Sequence, residues 1–251
     1  MEHDSLKVIL SKDVIKILGN FEGPKFTTLG TISKSTIGVL ASKYLIGDEN
    51  EDNLLPFLVG NVYRYYLKIS KFRYIDMKRH KDEYLDYYKG KRILVRRIIS
   101  RQDRLMATIV EEDFVNKKDL YSFKIIDKNF LTEYILALLN SKLLSYLYIH
   151  TSTISTKDDF RQTTLAELRK LPIAIIDLKK QEIITESVRK LLYLNKNLYS
   201  IGRKYTEQEE KIRKEIEKVE DDLDKTVYDI YNLKKSEIEE IEGYFEKIKN
   251  S

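Results

Sequence analysis

Between Asn129 and His150 the apolar positions Leu131, Ile135, Leu138, Leu139, Leu143, Leu147 and Tyr148 recur every three or four residues, the spacing of one helix face. The spacing predicts one continuous helix, with Thr132 or Asp127 placed to cap its start. Upstream the pattern changes. From Phe26 to Ile46, β-branched and aromatic residues come in short runs broken by Gly30, Ser33, Ser35, Gly38 and Gly47, which predicts strands and tight turns. Leu54–Met77 alternates apolar with basic or aromatic positions and predicts two strands, around Gly60-Asn61 and around Ser70. Arg92–Ser100 places Ile93, Val95 and Arg97 on one strand face and Leu94, Arg96 and Ile98 on the other. Arginine on both faces predicts a strand at an edge or beside a groove. Leu105–Val110 and Tyr121–Ile126 predict a further pair, and residues 1–20 an opening helix stopped at Gly19-Asn20.

After Leu171 the period becomes helical again. Pro172 cannot continue a helix and pushes Leu171 out of the α region, so the chain passes through an extended hinge before Gln181-Glu182 opens a new helix. Ile184, Val188, Leu191, Leu192, Leu194 and Leu198 make one stripe. Past a break at Gly202, Ile212, Ile216, Val219, Leu223, Val227 and Ile230 make another that approximates a coiled-coil seam. Two long helices joined by a short turn predict an antiparallel hairpin. The fold class expected is α+β: a β-rich domain with packed helices over residues 1–174, then a helical hairpin over 175–251.

Composition narrows what such a fold does. The 251 residues are 42% hydrophobic and 34% charged, enough for a real core with a large solvated surface. Cysteine is absent, which removes disulfides, thiolate nucleophiles and Cys-type zinc sites together. No apolar run approaches a membrane span and the first residues resemble no signal peptide, so a soluble, cytoplasmic protein without a membrane partner is expected. The net charge of +5 hides an asymmetry: residues 64–104 are dense in Lys and Arg, while the part after Tyr205 is rich in Glu and Asp.

The candidate chemistry is binding. Pro24, Pro56 and Pro172 are isolated, so no Asn/Asp-Pro-Pro-Tyr/Phe loop of an adenine methyltransferase exists, and the glycines form no Gly-x-Gly-x-x-Gly. Glu209-Glu210-Lys211 sits on the coiled-coil stripe and reads as a solvated helix face. His3, His80 and His150 are scattered, so neither catalysis nor a metal is expected. The cations Arg64, Lys68, Lys71, Arg73, Lys91, Arg92, Arg96, Arg97, Arg101 and Arg104 are interleaved with Tyr63, Tyr65, Tyr66 and Tyr74, and Lys157 and Arg161 extend the set near the hinge. Phosphate neutralisation needs such charges, and base reading needs a few of them in fixed positions. A merely solvated basic surface has the same composition, so charge alone leaves both readings open.

Four segments carry a family resemblance. Leu55–Tyr66, with Pro56, Leu58 and Gly60, resembles the "Pro-x-Leu-x-Gly-x-Asp-Ile-x-x-Tyr" element of the TaqI-like C-terminal specificity domain, with Asn61-Val62 where that family often has other residues. Ala137–Lys142 reads Ala-Leu-Leu-Asn-Ser-Lys, similar to a helix of the target-recognition domains of restriction–modification systems. Leu168-x-x-Leu171-Pro172-Ile173, followed by Gln181-x-x-Ile184, resembles the end of such domains in type I specificity subunits. Val227–Ile238 resembles the terminus of type IIG enzymes.

The resemblance implies sequence-specific recognition of double-stranded DNA for an adenine methyltransferase whose S-adenosylmethionine site lies on a partner subunit or another domain. It also implies a spacer that docks on the catalytic part, and a homodimer through the C-terminal helices. The alternative of another class is a coiled-coil scaffold that binds RNA or another acidic partner without sequence specificity.

Overall fold

The computed structural model describes residues 17, 19, 21, 23–41, 46–48, 54–78, 82–99, 101–152, 161–201 and 206–250. Most of the expected opening helix and the candidate Lys157 lie outside them.

Two four-stranded sheets and a helical layer make the body. The first sheet has the order β2 (Ser33–Ile37), β9 (Leu120–Ile125), β6 (Arg92–Arg96), β7 (Ala107–Val110). The second has the order β3 (Ile46–Gly47), β5 (Tyr66–Ile75), β4 (Leu55–Tyr63), β8 (Val115–Asn116). β1 (Phe26–Thr28) pairs with β10 (Pro172–Ala174), so the chain's early segment meets the hinge. Thr28 caps the short helix α1 (Leu29–Ile32), and α2 (Asp82–Leu85) with a following 3-10 turn covers part of the second sheet.

The strand expected at an edge is interior. β6 lies between β9 and β7 and is buried on both faces: Ile93 and Val95 join the core under the helices, while Leu94 packs with Leu58, Val62, Val110, Phe114 and Leu120 between the sheets. β7 and β9, expected as a pair, each bond to β6 instead. Arg96 and Arg97 follow the packed middle of the strand, and Arg92 at its start turns its guanidinium to the Gly90, Glu112 and Phe114 carbonyls, so the strand carries arginine without exposing a face.

The helix expected over 129–150 is two. α3 (Thr132–Asn140) stops at Ser141, whose ψ of 155° breaks the helix and whose hydroxyl accepts from Leu144 N–H, starting α4 (Lys142–Thr151). Neither Thr132 nor Asp127 caps α3. The Leu131 N–H donates to Gln181 Oε1 at 2.8 Å, and Gln181 Nε2 donates to the Asn129 and Ile176 carbonyls. A fully buried glutamine fifty residues downstream therefore closes the helix start.

After the short helix α5 (Leu165–Leu168) and β10, α6 (Leu178–Ile201) and α7 (Glu207–Ile230) run antiparallel, with Lys190 paired to Glu215 at 2.7 Å. The expected hairpin gains a third member. The chain reverses at Asn232 (φ +51°) into α8 (Lys235–Lys249), which packs on α4. No helix among the described residues is long and apolar enough to cross a membrane. The expected division at residue 174 falls at the end of β10, and packing runs across it: Val188, Leu191, Val227, Tyr228, Ile241 and Phe245 belong to the same core cluster as α3 and α4.

Candidate nucleic-acid interface

The basic stretch folds as the β4–β5 ribbon, and its register decides which cations act together. Tyr63 faces Tyr66, Asn61 faces Lys68, Val59 faces Lys71 and Phe57 faces Arg73. The register shifts between Val59 and Gly60, leaving Ser70 as an extra residue on β5. Lys68 and Lys71 are three apart and would point to opposite faces of a regular strand. The bulge brings Lys68, Lys71 and Arg73 onto one face. Gly60 makes the bulge possible, because a Cβ there would collide with the Lys68 carbonyl oxygen. Gly60→Ala is expected to cost about 1–3 kcal/mol of stability as the strands separate, and a urea melt checks it: an unchanged midpoint would show that the bulge tolerates a side chain.

At a rise of about 3.3 Å per residue the cationic strip is roughly 15 Å long. Lys68 and Lys71 are exposed. β3 pairs only with Tyr74 and Ile75, so among the described residues the rest of the β5 edge carries no neighbouring strand. The strip has defined ends. At one, Tyr199 from α6 stacks on Tyr66 at 3.8 Å and lies near Tyr63, so these tyrosines dock the ribbon on the helices. At the other, Asp48 Oδ1 accepts from Lys71 Nζ and Arg73 Nε, both at 3.0 Å. The Lys71 hydrogen bond and the Arg73 charge hold the Asp48 carboxyl below its ordinary range.

The other sequence candidates part company. Arg92 is fully buried: it donates to the Gly90, Glu112 and Phe114 carbonyls, lies over the Phe114 ring, and burial brings its pKa down to about 10. Arg104 is buried as well, donating to the Asn140 carbonyl, and burial lowers its pKa. Arg64 is bound to Glu220 of α7 at 2.9 Å, and Lys91 to Glu133 of α3 at 2.6 Å. These four hold the fold together. Arg96 is half-buried against Met106 sulfur, and Arg97 is half-buried with its backbone carbonyl bound by Thr163. Arg101 is exposed in the loop after β6. Arg161 makes a two-pronged pair with Asp103 (2.9 and 2.7 Å), which also accepts from the Tyr244 hydroxyl. Arg96 and Arg97 stand on opposite faces of the β6 end, Arg101 lies in the loop that follows, and Arg161 is committed to Asp103.

Asp48 is not among the sequence candidates, which are all cations; its signal in the sequence is a run of carboxylates beside a basic hairpin. The Asn-Ser-Lys step has a role the sequence did not disclose. Asn140 accepts from Ala107 N–H and donates to the Ala107 carbonyl, joining the α3 end to β7. Lys142 N–H donates to Asp224 of α7 at 2.8 Å, and Lys142 Nζ to Glu242 of α8 at 2.8 Å.

Residues 55–173 match the TaqI-like C-terminal specificity domain. A protein of Methanocaldococcus jannaschii named as a type II restriction enzyme and methyltransferase is 41% identical over 223 residues, 86% of this chain and 18% of that protein. The chain thus spans under a fifth of that relative's length. Among solved structures, the HsdS subunit from Thermoanaerobacter tengcongensis aligns with TM-score 0.46 at 13% identity, over 84% of this chain and 49% of that one. The type IIL restriction-modification enzyme MmeI in complex with DNA aligns with TM-score 0.45 at 14% identity, over 64% and 22%.

Proposed function

From the premise that this chain belongs to the specificity domains of restriction–modification systems, carrying a TaqI-like C-terminal specificity domain over residues 55–173, we propose that it recognises a target sequence in double-stranded DNA for a methyltransferase centre located elsewhere. The observation that carries the reading is the bulged ribbon, which turns three separated cations into one strip on a face wide enough to meet a duplex. A two-stranded ribbon fits a major groove about 12 Å across. In this reading Lys68, Lys71 and Arg73 meet phosphates and set orientation, while Arg96 and Arg101 are the candidates among the remaining cations for base edges.

The chain itself performs no chemistry in this proposal. The relative in M. jannaschii, whose name covers both restriction and methylation, supports an arrangement in which the matched segment serves catalytic parts outside it. Residues 1–174 then act as the reading domain, and 175–251 as the spacer that holds it at a set distance from the catalytic part. The shared core and the Lys142, Arg64 and Gln181 contacts suit that task, because they fix the domain on the rods.

Selection from a randomised duplex library, followed by competition of the enriched duplex against random duplex and RNA, tests the proposal. The enriched duplex is expected to bind about 10³-fold or more tightly than random duplex, the lower end of the usual specificity ratio. Equal affinity for all three nucleic acids would leave a non-specific acidic-partner scaffold as the better reading.

A further inference from the structure

The geometry points to Asp48 as a built-in phosphate surrogate that occupies two cations of the basic strip and holds down the chain's affinity for DNA of any sequence. The inference rests on the DNA-reading proposal and adds a regulatory part to it.

Three observations support it. First, Asp48 is placed by backbone pairing rather than by its charge. Gly47 pairs with Tyr74, which delivers the next residue beside Arg73 whatever its side chain. Second, one carboxylate oxygen accepts from both Lys71 and Arg73 at 3.0 Å, the arrangement a non-bridging phosphate oxygen would take. Third, the group is on the surface: its side chain is 63% exposed and that of Lys71 58%, so a ligand reaches both without opening the core. A structural strut such as Arg64–Glu220, at 23% and 17%, is far less accessible. The sequence that follows, Glu49, Glu51 and Asp52, keeps this stretch acidic.

An exposed ion pair contributes little to stability. Its consequence lies in binding: a duplex must displace the carboxylate from Lys71 and Arg73 and then sits beside a like charge. Affinity that comes from charge alone is opposed most, because no base contact offsets the loss.

Asp48→Asn keeps the shape and removes the charge. It is expected to bind random-sequence duplex about five-fold more tightly than the unsubstituted chain at low salt, with a salt slope steeper by about 0.9, one further phosphate neutralised. Glu239→Gln, the same charge change at an exposed site on α8, controls for net charge and is expected to shift affinity by less than about two-fold. In a Lys71→Met/Arg73→Met background, adding Asp48→Asn is expected to gain nothing. Equal gains from Asp48→Asn and Glu239→Gln, a gain that survives loss of Lys71 and Arg73, or weaker binding by Asp48→Asn would each overturn the inference while leaving DNA reading intact. Absence of duplex binding by the unsubstituted chain at any salt would instead remove the reading on which it rests.

Discussion

Replacing Asp224 with alanine is expected to destabilise the protein by about 3–5 kcal/mol, the usual cost of leaving a buried charge without its counterion. Asp224 is 4% exposed on α7 and accepts from the Lys142 N–H at 2.8 Å. Arg104 and the Lys142 ammonium each stand 3.9 Å from it. Arg104 is itself buried, donating to the Asn140 carbonyl and lying over the Phe245 ring of α8. Burial pushes the Asp224 carboxyl above its ordinary range and the Arg104 guanidinium below its own, and each opposes the other's shift by favouring its charged form. Without Asp224, the buried Arg104 guanidinium keeps the Asn140 carbonyl but loses the Asp224 carboxylate, and the first N–H of α4 loses its acceptor. At about 2–4 °C per kcal/mol for a chain of this size, the melting temperature should fall by roughly 10 °C.

The double variant Arg104→Met/Asp224→Leu removes both charges together and is expected to be milder than Asp224→Ala, because no isolated charge remains. A urea titration of the three proteins is the check. A loss below about 1 kcal/mol for Asp224→Ala would mean that water reaches the site and the network does not tie the domain to the rods.

The second large effect concerns the strip. Substituting Lys68, Lys71 and Arg73 with glutamine is expected to lower duplex affinity by about 10–100-fold near 0.1 M salt and to flatten the slope of log K against log salt by about 1.8, two net contacts at about 0.9 each because Asp48 offsets one of the three cations. Lys68 and Lys71 are exposed and Arg73 is half-buried, so the variant should melt within a few degrees of the unsubstituted protein. Fluorescence anisotropy with one duplex at four salt concentrations gives both quantities. If affinity falls and the slope stays the same, the three side chains are not at phosphates, and the face that meets DNA is elsewhere. The Lys residues also guard an open strand edge against pairing with another chain. That role predicts aggregation of the glutamine variant and no change in slope, so the two are separable in one experiment.

Part of this was legible in advance because it is local. The helical periods after Leu171 and the stop at Pro172 depend on neighbours three or four residues away, and both appear in the structure, while the expected break at Gly202 lies outside the described residues. The alternating block at Leu55–Ile75 forms the two strands it predicted. The Asn140-Ser141-Lys142 step identified the family from residue types alone, although its work is to fasten α3 to β7 and α4 to α7 and α8.

What resisted reading was every matter of who sits opposite whom. Arg92 and Arg104 look like neighbours of Lys68 in a list of cations, yet the fold gives them carbonyls and burial, because a strand's place in its sheet depends on partners far along the chain. The cap of α3 comes from Gln181, and the counterion of Arg64 from Glu220, 156 positions away. The sequence by itself determined where helical and strand-like periods lie along the chain and which family it resembles. Only the tertiary structure decided which positive charges remain on the surface and which share a face, since a single bulge at Ser70, a single glycine at Gly60 and the company of Asp48 set the direction and the freedom of side chains that the sequence merely counts.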